Sequence, residues 1–105
     1  IKFVRENPEG TRLYLLSHHD SSKLMEAYSL HFPKNGSSEG IMTPHQGQAF
    51  LHVLKGKIRF VLDGKDYSLE NRDNLYFDSH LSHKAYNDNS RGESSVLWIV
   101  SPPNI

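Results

Sequence analysis

The sequence has no cysteine, no net charge and no long apolar run, and each absence excludes a class of protein. Without cysteine the chain forms neither disulfides nor thiolate metal sites, which fits a reducing compartment such as the cytoplasm. Twelve basic residues balance twelve acidic ones, so there is no broad basic surface for nucleic acid or anionic membrane. No apolar run approaches the length of a membrane span. We therefore expect a cytoplasmic protein without a membrane partner.

Other familiar signals are also missing. The opening residues have neither the apolar core nor the cleavage site of a signal peptide. No serine sits in a glycine-flanked elbow and no glycine loop is built to hold phosphate, so nucleophilic catalysis and nucleotide binding have little support. The 105 residues make one domain, and they begin at Ile1 rather than at methionine. We expect residues 1–105 to be a single domain of a longer chain.

Short strand-like segments, separated by turn residues, account for most of the sequence. They predict eight or nine β-strands in an all-β sandwich or barrel. Asp63 and Gly64 are expected to form a two-residue hairpin turn, because both tolerate a positive φ. The segments lie at residues 11–16, 25–32, 50–54, 57–62, 66–69, 74–77, 83–87 and 94–100.

Two motifs give the chain a resemblance to the cupins, a family of small jelly-roll barrels. The first motif is "TPHQGQAFLHVLKG", which ends at Gly56, and the second ends in "HKAYN", which contains His83 and Asn87. Fifteen residues, 57–71, separate the motifs, a spacing similar to that of small bacterial cupins. The resemblance covers residues 28–103. It implies an antiparallel jelly roll, or double-stranded β-helix, in which the two motifs meet inside the barrel.

The metal site that the resemblance implies is incomplete. Cupins place two histidines and a glutamate in the first motif and a third histidine in the second. These positions fall on Thr43, His45, Ala49 and His83, so only two of four ligands remain. Gln48 does not replace the glutamate, because side chains alternate along a strand. Two imidazoles are too few for a tight structural or catalytic metal. We expect no cofactor; a weakly bound divalent transition metal is the alternative.

A longer pattern resembles the carboxy-terminal cupin domains of bacterial helix-turn-helix transcription regulators. Its pieces are "HQGQAFLHVLKG", "YSLENRDNLYFDSHLSH" and "VLWIVSPP". The resemblance implies an unidentified small-molecule effector, and contact with DNA only through an amino-terminal module outside these 105 residues. We expect a regulatory domain rather than an enzyme. A metal-dependent cupin enzyme, such as a dioxygenase or isomerase, and a purely structural dimerisation domain are the alternatives.

Five residues are candidates for the ligand site, and none is a predicted catalytic residue. His45 and His83 are expected to line one cavity and to hydrogen-bond to a ligand, to water or to each other. Glu26 lies on a strand expected to enter the barrel, where a carboxylate orients a polar ligand; an exposed edge is the alternative. Tyr76 and Trp98 are expected in the core or cavity wall, because aromatic side chains supply much of the buried area of a small domain.

The remaining predictions concern packing. His52 alternates away from the Ala49 side of its strand, so we expect it at an interface or in a second layer. Asp73 is expected to accept a turn hydrogen bond, and Asn71 to adopt a positive φ where cupins have glycine. The runs "AFLHVL" and "VLWIV" are apolar on both faces of their strands, which favours a homodimer.

Overall fold

Nine β-strands make up the described part of the fold. The computed structural model describes residues 1–17, 22 and 24–103, and no helix occurs among them. That part of the chain therefore has no helix with the length and apolar character needed to cross a membrane. The strands are β1 (Lys2–Glu6), β2 (Arg12–Leu15), β3 (Glu26–Phe32), β4 (Gln48–Lys55), β5 (Lys57–Leu62), β6 (Lys65–Glu70), β7 (Asn74–Asp78), β8 (His83–Asn87) and β9 (Ser94–Ser101).

The strands form two antiparallel sheets of unequal size. The large sheet has six strands in the order β1-β2-β3-β9-β4-β7, and the small sheet has three in the order β6-β5-β8. Strand β9 lies at the centre of the large sheet, where Trp98 pairs with Tyr28 on one side and with Leu51 on the other. This arrangement confirms the predicted all-β jelly roll.

Alternate residues of each strand fill the space between the sheets. On β9, Val96, Trp98 and Val100 are buried, whereas the intervening Leu97 and Ile99 are half-buried on the outer face. A period of two is what a pleated strand with one core face requires. The core thus lies inside the barrel and is contributed by both sheets. It includes Leu30, Leu51, Ile58, Phe60 and Phe77.

The hairpin between β5 and β6 turns as predicted. Asp63 and Gly64 have φ values of 51° and 80°, the positive angles that a tight two-residue turn demands. The turn before β7 differs from the prediction, because the positive φ belongs to Arg72, at 76°, and not to Asn71. A backbone hydrogen bond of 2.8 Å from Arg72 N to Val53 O holds the residue in that conformation.

Asp73 stabilises the same turn in the way the sequence predicts. Its Oδ2 accepts a hydrogen bond of 2.8 Å from Glu70 N, and its own N–H donates to Glu70 O at 2.9 Å. These two bonds close the turn between β6 and β7. Asp73 therefore has a structural role.

Candidate functional site

His83 begins β8 and points into the barrel. Its side chain is 5% exposed and lies beside Phe60 and Phe77, with ring centroids 6.1 and 5.0 Å away. Its Nδ1 lies 2.8 Å from Leu81 O, while its Nε2 is buried without a hydrogen-bond partner among the described residues. Burial lowers the pKa of His83 despite the bond to Leu81, and the charge of His45 lowers that pKa further. The His83 ring is therefore neutral at pH 7.

His45 reaches the same end of the barrel from the loop that precedes β4. His45 N donates to Ser79 O at 2.9 Å, and Ser79 N donates to Gly47 O at 2.9 Å, so the loop is fixed to the chain just after β7. The His45 ring is half-buried, and its Nδ1 lies 2.9 Å from Gln46 O. Its Nε2 is buried, and no described residue is its hydrogen-bond partner.

Gly47 makes this loop geometry feasible. Its φ is 124°, in the region that side chains rarely adopt, and a Cβ atom there would overlap the carbonyl oxygen of Ser101 on β9. Because Ser101 O is backbone, it has no rotamer by which to move away. Gly47 thus lets the loop pass close to β9 and places His45 at the barrel end.

Ser79 belongs to this site, and the sequence analysis missed it. Its side chain is fully buried, and its hydroxyl has no hydrogen-bond partner within the described part of the chain. Ser79 follows the inward-facing Phe77 by two residues, so continued alternation brings it to the same face. That spacing was the available signal, but Ser79 lies beyond the predicted strand at residues 74–77.

Glu26 and Tyr28 carry polar groups into the barrel from β3. Glu26 is 2% exposed, which rules out the exposed-edge alternative, and its Oε1 accepts a hydrogen bond of 3.2 Å from the Tyr28 hydroxyl. Burial, and then the charge of Glu26, raise the pKa of Tyr28 far above its usual value, so the phenol stays protonated. In register, Glu26 pairs with Val100 and Val100 with Ala49, which places Glu26 two strands from Ala49.

Trp98 occupies the core, as predicted. Its ring lies 5.4 Å from that of Tyr28, and the side chain is 2% exposed. The buried indole N–H finds no acceptor among the residues that the structure describes. Trp98 therefore brings an unused hydrogen-bond donor into an interior that is otherwise largely apolar.

Tyr76 lies outside the barrel, so its predicted place in the core or cavity wall is wrong. The side chain is 63% exposed on the outer face of the large sheet, opposite Phe50 on β4. Adjacent residues of a strand point to opposite faces, and Phe77 takes the inward position. His52 lies on this outer face, as predicted, and its Nδ1 contacts the side-chain oxygen of Asn74.

The residues present do not fit a four-ligand cupin metal centre. Thr43 is exposed, and Ala49 is buried but has no atom that can coordinate. Across residues 1–17, 22 and 24–103, no three His, Cys, Asp or Glu side chains are grouped so that they could hold a metal ion. His45 and His83 thus offer two nitrogen atoms, which suit hydrogen bonding better than metal binding.

The fold and the paired histidines define a jelly-roll domain with a polar site at one barrel end. The chain belongs to the cupin family, whose cupin-domain model matches residues 28–100. This confirms the family that the two motifs indicate. No curated protein matches the chain.

Solved structures with this fold come from proteins of several kinds. KdgF from Halomonas sp. has a TM-score of 0.77 and 20% identity, over 99% of this chain and 88% of that one. The cupin domain of an XRE family transcriptional regulator from Enterobacter cloacae has 0.75 and 19%, over 90% and 98%. A predicted oxalate decarboxylase from Thermotoga maritima has 0.75 and 20%, over 89% and 81%. These similarities show the fold and leave the activity open.

Proposed function

We propose that this cupin domain senses a small molecule as part of a cytoplasmic helix-turn-helix transcription regulator. The observation that carries the proposal is the pair of buried Nε2 atoms of His45 and His83, for which the described residues supply no partner. Buried polar groups in folded proteins are nearly always hydrogen-bonded, so such a pair indicates a place for a ligand. The similar cupin domain of the Enterobacter cloacae regulator supports the regulatory setting.

A ligand at this site would join the two sheets. His83 lies on β8 of the small sheet, whereas the His45 loop is bonded to the residue after β7 of the large sheet. A molecule bound to both imidazoles therefore restrains one sheet relative to the other at this barrel end. Regulation requires that the ligand bind more tightly to one of two such arrangements.

Contacts lead from β8 towards the amino-terminal hairpin of β1 and β2. Lys84, next to His83, forms a 3.0 Å ion pair with Glu39. The backbone oxygen of Glu39 accepts a 3.1 Å hydrogen bond from the side chain of Asn7, which lies just after β1. A DNA-binding module at the amino end would join the chain at the start of β1, one strand length from Asn7. Strand β1 would therefore connect these contacts to that module.

The homodimer belongs to the same proposal. The outer face of the large sheet carries half-buried Phe50, Leu97 and Ile99, with the more exposed Leu54 and Tyr76 beside them. Phe50 and Ile99 are cross-strand neighbours, so the apolar surface is continuous between β4 and β9. A second copy of this chain is the partner that such a face suits, because regulators of palindromic DNA sites are two-fold symmetric.

The test uses the intact natural protein and a library of small amides, polyols, amines and carboxylic acids. Compounds that raise the thermal midpoint are then tested on His45→Ala and His83→Asn, with His31→Ala on the outer face as the control. We expect the parent and the control to respond alike, the two site variants to lose the response, and the active compound to change affinity for the protein's own promoter DNA by about fivefold or more. An active compound that leaves DNA affinity unchanged contradicts the proposal.

Metal analysis separates the proposal from a metal-dependent enzyme. Protein purified without a histidine tag should contain well below one equivalent of zinc, iron, nickel, copper or manganese, because two imidazoles select metals poorly. A full equivalent that disappears in His45→Ala would favour the enzyme.

A further inference from the structure

The two site histidines present the same nitrogen to the barrel interior. In both rings Nδ1 lies against a backbone carbonyl, Leu81 O at 2.8 Å for His83 and Gln46 O at 2.9 Å for His45. A carbonyl oxygen only accepts hydrogen bonds, so Nδ1 must carry the proton in each ring. A neutral imidazole has one N–H, and its other nitrogen is then an acceptor. When either ring is neutral, its Nε2 therefore carries a lone pair and no hydrogen.

Burial opposes protonation of His83. His83 is buried beside two phenylalanine rings, and burial lowers its pKa. The charge of a protonated His45 lowers that pKa further, so the two rings are not both charged near pH 7. The end of the barrel thus offers Nε2 of each neutral ring as a hydrogen-bond acceptor.

Two polar side chains in the same interior supply hydrogen-bond donors. The Ser79 hydroxyl is buried without a described partner, next to the backbone bonds that tie it to the His45 loop. A hydroxyl donates one hydrogen bond, so Ser79 can serve a single carbonyl oxygen. The Trp98 indole N–H is a second unused donor in the same interior. Acceptors and donors together match a group that contains both N–H and C=O.

We propose that the effector is an uncharged molecule bearing primary amide groups, whose N–H donors bind Nε2 of His45 and His83. This inference rests on the proposed sensing function and names the class of ligand for that site. A carboxylate is the wrong partner, because it only accepts hydrogen bonds and would face two lone pairs in a poorly solvated place. An amide of the same shape donates to both rings and accepts from Ser79.

Malonamide and malonate test the inference, because they share a carbon skeleton and differ in hydrogen-bonding groups and charge. Protein labelled with nitrogen-15 in its histidines is followed by long-range proton–nitrogen NMR at neutral pH. We expect the signals of His45 and His83 to show hydrogen on Nδ1 and not on Nε2. Malonamide should shift both Nε2 signals and bind at least about tenfold more tightly than malonate. The His31 signal should not move.

Two variants control the measurement. His45→Ala should weaken malonamide binding about tenfold or more, and His31→Ala should bind it as the parent does. Malonate binding as tightly as malonamide, or hydrogen on Nε2 of His83, overturns the amide class but leaves a sensor of another ligand standing. No response to malonamide at about 50 mM also overturns the amide class. The sensing proposal is tested separately, by whether another compound that binds the site changes the affinity of the protein for its promoter DNA.

Discussion

The His83 imidazole is buried, so its protonation is unfavourable in the folded state. This predicts how the free energy of unfolding depends on pH. Burial lowers the pKa of His83 in the folded state, so below about pH 6.5 the unfolded chain takes up a proton more readily than the folded one. This contribution to the free energy of unfolding is fully present above that pH and is lost as the pH falls towards the folded-state pKa. The slope is at most about 1.4 kcal/mol per pH unit for one proton. Urea unfolding between about pH 7.5 and pH 5.5 measures it.

A pair of variants assigns the pH effect to this residue. His83→Asn removes the titrating ring, so its stability should fall less steeply with decreasing pH than that of the parent. His31→Asn changes an exposed histidine on the outer face and should keep the parent slope. Parent-like steepness in His83→Asn would show that another group causes the dependence.

Arg72 holds a conformation that glycine adopts more readily. Its φ of 76° is left-handed, and the side chain is exposed, so little packing is lost on truncation. We expect Arg72→Gly to raise the free energy of unfolding by about 0.5–1 kcal/mol, because relief of strain exceeds the added freedom of the unfolded chain. The shift of the urea midpoint measures the effect. Asn71→Gly, one residue earlier and without a positive φ, should lower stability instead.

The residues of the site show how far alternation alone can place a side chain. It placed His52 correctly, and the cupin motifs brought His45 and His83 to one barrel end. Tyr76 was misplaced because "LYF" offers two adjacent aromatics for one inward position, and the sequence does not say which of them faces in. Ser79 was missed because it lies beyond the predicted strand, so the alternation that continues from Phe77 was not extended to it. Its backbone bonds to the His45 loop join segments distant in sequence and leave no local pattern.

At the level of elements, two turn glycines with similar φ values allow two costs of adding a side chain to be compared. One is the conformational strain of a positive φ, and the other is steric overlap with a neighbouring residue. Gly56, between β4 and β5, has φ 84°, and a Cβ there would overlap Ser94 Oγ; Gly64 has φ 80° and open space around it. We expect Gly64→Ala to cost about 1 kcal/mol from conformation alone. Gly56→Ala should cost about 2–4 kcal/mol, because it also displaces Ser94, whose hydroxyl lies 2.7 Å from Asn87 Oδ1. If Gly56→Ala and Gly64→Ala lose equal free energies of unfolding in urea, Ser94 moves aside without cost.

Strand β1 shows why some elements escape sequence analysis. Its residues are mostly exposed, so "KFVRE" lacks the alternation seen in β4 and β9. The strand forms at the sheet edge because Asn7 fixes the turn that follows it. The Asn7 side chain accepts a 2.9 Å hydrogen bond from Thr11 N and donates one of 2.9 Å to Ser37 O. A polar residue in a turn does not reveal such a distant partner.

For the whole molecule, the outer face of the large sheet makes the dimer testable. Ile99→Asp puts a charge at the centre of the apolar face that includes Phe50 and Leu97. Val61→Asp makes the same change on the outer face of the small sheet, where Val61 is also half-buried. We expect sedimentation at micromolar concentration to give a dimer for the parent and Val61→Asp, and a monomer for Ile99→Asp. A parent that sediments as a monomer contradicts the proposed dimer.

The position of β9 has a consequence for folding during synthesis on the ribosome. Of the nine described strands β9 is the last to be synthesised, yet it lies between β3 and β4 at the middle of the large sheet. Until it emerges, β1-β2-β3 and β4-β7 are separate pieces, and the edges of β3 and β4 that β9 will cover are open to pairing with other chains. Final assembly must therefore follow translation of residues 94–101. Premature termination before β9 should give aggregates rather than a smaller soluble domain.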